Sequence, residues 1–98
     1  MTQETPLEEI DKDEFIRIQV KLHLKKNPLT TYTIAGLMIQ VFKIPESRIN
    51  KAYSDIWDKE DAKLYKKIEA ILEEMKANNE VNCIVKGKAN RRNYWWNI

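Results

Sequence analysis

Four cations fall within seven residues near the C-terminus, and three aromatic residues follow shortly after them. The cations are Lys86, Lys88, Arg91 and Arg92. The run from 86 to 92 holds no acid. Lysine offers an anion a point charge, whereas the planar side chain of arginine donates paired hydrogen bonds to a phosphate or a carboxylate. This composition is typical of a segment that contacts a polyanion, although a basic hairpin tip that only increases solubility has the same composition.

The aromatic residues divide between two faces if they lie in a β-strand, because side chains alternate along a strand. Tyr94, Trp96 and Ile98 then share one face, and we expect Trp96 and Ile98 to lie in the core. Trp95 points to the other face, where three roles stay open. It could cover a dimer contact, stack on nucleic acid, or pack over the aliphatic stems of neighbouring lysines.

The composition indicates one globular domain rather than a disordered or membrane-spanning chain. The 98 residues are 43% hydrophobic and 33% charged, and no apolar run approaches the roughly 18 residues of a transmembrane helix. The first ten residues are acidic and polar, unlike the basic and apolar start of a signal peptide. We therefore expect an intracellular, cytoplasmic protein without a membrane partner.

Catalytic and metal-binding side chains are sparse in this chain. One cysteine, Cys83, and one histidine, His23, exclude an internal disulfide and leave no zinc ligand set. Two glycines are too few for a phosphate-binding loop, and no nucleophile stands in a recognisable pattern with a base. The residues predict no enzyme, no cofactor, no metal and no small-molecule substrate.

The charges are unevenly distributed, although the net charge is only +2. Residues 15–45 carry five cations and residues 81–98 carry four, with no acid in either segment. Residues 1–14 carry six acids and one lysine, and we expect residues 1–10 to form a flexible acidic arm. A partner that meets a basic segment experiences a local charge that the net charge conceals, although such clustering also occurs on ordinary solvated surfaces.

The segment from Asp11 to Asn27 carries conflicting signals. Apolar and polar residues alternate strictly over 16–24, which favours a strand, whereas Asp11 with Glu14 three residues later resembles a helix capping box. We predict a helix, which would have two apolar stripes and would need contacts on two sides. The simplest second contact is a dimer partner. The stripes are Phe15, Ile18 and Leu22, and Ile16, Val20 and Leu24.

Periodicity and turn residues predict three more helices and a hairpin. The helices span residues 32–43, 46–57 and 60–79, after a short extended piece at 29–31. Strands at 81–86 and 93–98 are joined by a six-residue loop that begins at Gly87. Apolar residues at helical spacing mark the first and last of these helices: Ile34, Leu37, Met38 and Val41, then Leu64, Ile68, Ile71, Leu72 and Met75.

The order of these elements resembles the winged helix-turn-helix family over residues 11–98. LTTYTIAGLM is similar to the opening of the family's second helix, and IEAILEEMKANNEV to its final helix running into the first wing strand. GKANRRNYWWNI is similar to the wing and its returning strand. The resemblance implies an α+β, mainly α fold, a winged helix-turn-helix domain with four helices and a C-terminal β-hairpin wing. The family usually has three helices, so one of the four would be an insertion.

The resemblance implies double-stranded DNA as the partner of a small, homodimeric transcriptional regulator. The helix at 60–79 lies directly before the hairpin, which is the position of the family's recognition helix. Wing residues would contact the sugar-phosphate backbone or the minor groove. The helix residues off the apolar face are Lys63, Tyr65, Lys66 and Lys67, and the wing residues are Lys86, Lys88, Asn90, Arg91 and Arg92. Each set could instead be an ordinary solvated surface.

The helix at 46–57 is the alternative recognition helix. Its polar residues include the types that read guanine and adenine, although Ser47 could simply cap the helix. The residues are Ser47, Arg48, Asn50 and Lys51. Thr30, Thr31 and Tyr32 could donate to a phosphate at the N-terminus of the following helix, or the threonines could only cap it.

The alternative function is a winged-helix module that contacts another protein and does not bind DNA. The low net charge and the acidic N-terminal segment favour it. A third possibility is that this acidic segment competes with DNA for the basic surface.

Overall fold

The computed structural model describes residues 12–49, 57–88 and 91–97. These residues form four α-helices followed by one antiparallel hairpin, so the mainly helical α+β class with a C-terminal hairpin is confirmed. The elements are α1 (Lys12–Lys26), α2 (Ile34–Phe42), α3 (Glu46–Ile49), α4 (Lys59–Ala77), β1 (Val81–Lys86) and β2 (Arg91–Trp96). The predicted arm at 1–10 and the predictions for Asn50, Lys51, Asn90 and Ile98 lie outside the described residues.

Helix α1 resolves the conflict between the alternating pattern and the capping signal in favour of the predicted helix. A strand would have placed all the alternating apolar residues on one face. The helix instead separates them into two stripes, as predicted. Ile16, Val20 and Leu24 are buried towards α2 and α4. The second stripe stays accessible to solvent: Phe15, Ile18 and Leu22 are 41%, 44% and 47% exposed.

Local capping explains where α2 begins and ends. The hydroxyl oxygen of Thr33 accepts a hydrogen bond from the Gly36 N–H at 3.0 Å, which satisfies one of the unpaired amides of the first turn. Lys43 closes the C-terminus with a left-handed φ of 58°. The predicted caps at Thr30 and Thr31 were therefore wrong by two or three residues, and both side chains are exposed.

The predicted extended piece at 29–31 is also displaced along the chain. The backbone pairing occurs at Tyr32, whose N–H donates to the Tyr94 carbonyl and whose carbonyl accepts from the Tyr94 N–H, both at 2.8 Å. Pro28 and Leu29 lie in a turn instead. Tyr32 thus ties the start of α2 to β2, on the edge of β2 that does not pair with β1.

Helix α4 is the long element that the other elements contact. Asp58 caps its first turn by accepting from the Glu60 N–H at 3.2 Å, and Asn78 and Asn79 end it, Asn79 with a φ of 62°. The predicted bounds of 60–79 were therefore close to those observed. The prediction of a helix through residue 57 was wrong at its end, because Trp57 lies in a bend.

The core lies between α1, α2 and α4 and is covered at one end by the hairpin. Its fully buried side chains include Val20, Leu24, Leu37, Met38, Ile68, Leu72, Met75 and Tyr94. Burying an aliphatic side chain of this size stabilises a fold by about 1.5–3 kcal/mol. The apolar periodicity of the sequence predicts most of this set, and Leu64 and Val41 pack at its edge.

Candidate nucleic-acid interface

The register of the hairpin divides its side chains between two faces. Val81 pairs with Trp96, Cys83 with Tyr94, and Val85 with Arg92. This set faces the helices, because Val81 and Tyr94 are buried and Cys83 and Trp96 pack against the core; we call it the inner face. The alternate residues form the outer face: Asn82 with Trp95, Ile84 with Asn93, and Lys86 with Arg91.

The strand that carries these residues begins two residues earlier than predicted. Arg91 and Arg92 lie in β2, opposite Lys86 and Val85, rather than in a six-residue loop. Their charges favoured a loop in the sequence, but strand pairing depends on backbone hydrogen bonds and on partners for the side chains. Gly87 starts the turn with a φ of 77°, a conformation that favours glycine.

On the inner face, Tyr94 and Arg92 fasten the hairpin to α4 through one carboxylate. The Tyr94 hydroxyl donates to Glu73 Oε1 at 2.8 Å, and Arg92 donates to the same oxygen at 2.6 Å. Lys76 lies 2.8 Å from the other oxygen of Glu73, and Arg92 also lies 3.5 Å from Glu69. Arg92 therefore has two carboxylates as counter-charges within its own fold.

These contacts shift the pKa values of Glu73, Tyr94 and Arg92. Hydrogen bonds from Lys76, Tyr94 and Arg92 stabilise the charged carboxylate and lower the pKa of Glu73 from 4.5 to about 2. Burial first, and then the hydrogen bond to Glu73, raise the pKa of Tyr94. The hydrogen bond to Glu73 raises the pKa of Arg92. At neutral pH the network therefore joins a charged Glu73 carboxylate to two cations, Lys76 and Arg92, and to the neutral Tyr94 hydroxyl.

On the outer face, the cations have no such partners. Lys86 and Arg91 are direct cross-strand neighbours, and Lys88 follows two residues after Lys86. All three are exposed, and none forms an ion pair with any residue that the structure describes. Like charges directly opposite each other destabilise a strand pair. The hairpin thus presents a concentrated positive charge that the described part of the fold leaves uncompensated.

The four predicted contact residues of α4 do not form one surface. Lys63 and Lys66 are exposed, and Lys63 has only a loose pair with Glu60 at 3.8 Å. Lys67 lies 3.0 Å from Asp13 of α1, which reduces its availability to a ligand. The expectation that Tyr65 lies off the apolar face was wrong. It packs against the core, with its ring 5.4 Å from that of Trp57.

The residues of the alternative recognition helix are partly committed to the fold. Arg48 donates to both oxygens of Asp61, at 3.1 and 2.5 Å, and Asp61 is only 2% exposed. A buried carboxylate requires such a partner, so Arg48 holds α3 against the first turn of α4. Ser47 is exposed and lies inside α3 rather than at its N-cap, because the helix begins at Glu46.

A groove of about 490 Å³ opens beside the outer face of the hairpin. Trp95 lines it together with Trp96, Asn82 and Ile84, and the turn before α2 closes it with Pro28 and Leu29. Leu29 is 88% exposed and Ile84 is 47% exposed. The sequence did not point to Leu29, Asn82 or Ile84 as residues of this groove. Alternation along the strands separates Trp95 from Tyr94, and with the register of the hairpin it also places Asn82 and Ile84 on the face of Trp95.

Comparisons with known proteins leave the family open. No protein-family model matches the chain, and searches of the curated proteins and of the solved structures return no match. None of the helices in the described ranges combines the length and the hydrophobicity that crossing a membrane requires. The described residues also contain no cluster of three or more histidine, cysteine or carboxylate side chains suited to a metal ion.

Proposed function

We propose that the protein binds double-stranded DNA in a sequence-dependent way, as a winged-helix transcriptional regulator whose wing is the β1–β2 hairpin. The observation that carries this proposal is the outer face of the hairpin. Lys86 lies directly opposite Arg91, with no counter-charge from the described residues. A polyanion would remove the repulsion between these cations, and each phosphate contact would release condensed counterions from the DNA. Backbone contacts of this kind position a protein on a duplex.

The order of the elements supports α4 as the helix that enters the major groove. It directly precedes the hairpin, and Lys63 and Lys66 project from it into solvent. Lysine can donate to the guanine acceptors O6 and N7, so these two side chains supply a modest discrimination between bases. The commitment of Arg48 to Asp61 favours α4 over α3 for this role. Arg91, next to the turn, is suited to a narrow minor groove.

The exposed stripe of α1 supports a homodimer. Phe15, Ile18 and Leu22 lie on one side of the helix and are each more than 40% exposed. An antiparallel pairing of two α1 helices about a two-fold axis would place Ile18 next to its own copy. The acidic first turn with Glu14 would then approach the basic last turn with Lys25 of the other copy. A dimeric winged-helix protein would bind a two-fold site with half-sites about one helical turn apart.

The test of DNA binding is a salt series on a labelled duplex, measured by fluorescence anisotropy. The double variant Lys86→Gln/Arg91→Gln should lower the slope of log K against log salt by about 2, because about 0.9 of slope is lost for each phosphate contact. The matched control is Lys12→Gln/Lys26→Gln, which removes the same charge from exposed positions of α1. Equal slopes for the two double variants would show that the hairpin does not carry the contact.

The test of the dimer is the mass in solution by light scattering. Ile18→Glu should convert a dimer to a monomer, because it places two like charges at the two-fold axis. Gln19→Glu adds the same charge at a neighbouring, half-buried position and serves as the control. A parent protein that is monomeric at high concentration would exclude this interface.

The exposed α1 stripe also supports a second candidate function, a module that contacts a different protein. Such a module would bind no duplex even at low salt, and its partner would compete at Phe15, Ile18 and Leu22 rather than at the hairpin. Loss of partner capture in Ile18→Glu but not in Lys86→Gln/Arg91→Gln would favour this function over DNA binding.

A further inference from the structure

The groove beside the outer face of the hairpin has an aromatic wall next to a basic rim. The half-buried indole of Trp95 and the exposed side chain of Lys86 both line it. Arg91 is the cross-strand partner of Lys86, and Lys88 follows in the turn after β1. The volume of about 490 Å³ falls in the range of pockets that hold small organic groups, about 300–1,000 Å³. The groove is therefore large enough for a planar ring.

Among the described residues that line the groove, the polar side chains are two amides, one hydroxyl and one cation, Lys86, and none is a carboxylate. Asn82 donates to Asn97 Oδ1 at 3.1 Å, which leaves the Asn82 side-chain oxygen as an acceptor. Asn97 is held in turn by its bond to the Asn79 carbonyl at 2.8 Å. An oriented amide beside an indole can read the donor edge of a base, while lysine and arginine contact its phosphates.

We propose that this groove binds an unpaired nucleobase, stacked on Trp95, with the adjoining phosphates on Lys86, Lys88 and Arg91. The inference rests on the proposed function in so far as nucleic acid is the partner. It extends that function from paired DNA to a junction between paired and single-stranded DNA. Charge complementarity and the indole favour this occupant. The apolar α1 stripe of Phe15, Ile18 and Leu22 is a separate surface, and it is the one proposed above to bind a second copy of the chain.

The proposal also accounts for the exposure of Leu29. Its side chain is 88% exposed and lines the groove together with the strand residues Asn82 and Ile84. A stacked base would be held between the Trp95 face and the apolar wall of Leu29 and Pro28. Stacking of this kind tolerates any base, because every base has a flat π-face.

The test compares a blunt DNA duplex with the same duplex carrying a short single-stranded thymine tail, using Trp95→Ala and Trp95→Phe. We expect the parent to bind the tailed duplex about fivefold or more tightly than the blunt one. Trp95→Ala should abolish this preference without changing the affinity for the blunt duplex. Trp95→Phe should largely restore the preference, because a phenyl ring still stacks. Circular dichroism of each variant checks that the fold is retained.

Tryptophan fluorescence supplies a second readout. The chain has three tryptophans, and the stacked one should be quenched when the tailed duplex binds. The quenching should fall strongly in Trp95→Phe although binding persists. Retained quenching in that variant would assign the contact to another tryptophan and overturn the proposal.

The outcomes separate this inference from the proposed function. Equal affinity of the parent for blunt and tailed duplexes overturns the stacking site and leaves duplex binding intact. Binding only to the tailed duplex or to the free single strand supports the stacking site and overturns the proposed function. No binding to any of the three DNAs at low salt overturns both.

Discussion

Arg91 and Arg92 are neighbours in the sequence but belong to two different regions of the molecule. Arg92 lies on the inner face of the hairpin, where Glu69 and Glu73 of α4 neutralise it. Arg91 lies on the outer face, opposite Lys86, with no ion pair among the described residues. The pleat of one strand thus separates a cation that stabilises the fold from a cation that is available to a ligand.

The same separation applies to the aromatic neighbours that follow. Tyr94 is fully buried and donates to Glu73, whereas Trp95 lines an open groove. The run of basic and aromatic residues is therefore two interleaved sets, one of which is attached to α4 and the core. Counting the cations of the run overestimates the charge available to a ligand, because Arg92, one of the four, attaches the hairpin to α4.

The largest expected difference between the two faces is in stability. Tyr94→Ala should lower the free energy of unfolding by about 3–5 kcal/mol, because it removes a buried ring from the core. Trp95→Ala should lower it by about 1 kcal/mol, since its side chain is only half-buried. Urea denaturation followed by circular dichroism measures both. Similar losses for the two variants would mean that the outer face is as structural as the inner one.

The second prediction is that Arg48, like Arg92, stabilises the fold. Arg48→Met should lower the free energy of unfolding by about 1.5–3 kcal/mol, because it leaves the buried Asp61 carboxylate without its charged partner. The double variant Arg48→Met/Asp61→Leu should recover most of this loss in the same urea experiment. If Arg48→Met had no effect on stability but reduced DNA binding, α3 would replace α4 in the proposed role of the recognition helix.

The third prediction concerns the stability of the two neighbouring arginines. Arg92→Gln should lower the free energy of unfolding by about 1 kcal/mol, because it breaks a partly exposed network around Glu73. Arg91→Gln should change it by less than about 0.5 kcal/mol, as is usual for an exposed side chain without partners. A larger loss for Arg91→Gln would indicate a structural contact at the outer face.

The smallest expected effect is on stability at acid pH. It tests the inner face alone, because it depends on Glu73, the carboxylate that binds Arg92 and Tyr94. The pKa of Glu73 is lowered in the folded protein to about 2 from 4.5, so the folded state binds fewer protons than the unfolded chain between these values. Its contribution to stability is complete above about pH 4.5 and is lost as the pH falls towards 2. Glu73→Gln should remove this part of the acid dependence, which urea denaturation at a series of pH values would measure. An unchanged pH profile would mean that the carboxylate is not stabilised by its neighbours.

Much of the helical fold could be predicted because buried apolar residues recur with the helical period. Ile68, Leu72 and Met75 define the buried face of α4, and α1 is a helix with the two predicted apolar stripes, of which one is buried in the fold. Tyr65 follows the same spacing, one turn before Ile68, and was misassigned because its hydroxyl and the surrounding lysines favoured a surface position. Composition outweighed periodicity in that case, and the structure shows that periodicity is the better guide.

The allocation of the cations could not be predicted, because it depends on contacts between distant segments. Nothing in the local sequence distinguishes Arg92, whose partners Glu69 and Glu73 lie about twenty residues earlier on α4. The same holds for Arg48, whose partner Asp61 lies on the following helix. The start of β2 could not be predicted for the same reason. The charges of Arg91 and Arg92 favour a loop, and only the contacts with distant residues show that both lie in a strand.

The most direct test of the two-face account is the salt dependence of duplex binding in two single variants, Arg91→Gln and Arg92→Gln. Both remove one charge, one position apart, so net charge and chain location are matched. Arg91→Gln should lower the slope of log K against log salt by about 0.9, and Arg92→Gln should leave it unchanged. A lower slope for Arg92→Gln, or equal slopes for the two variants, would contradict the assignment of DNA contact to the outer face.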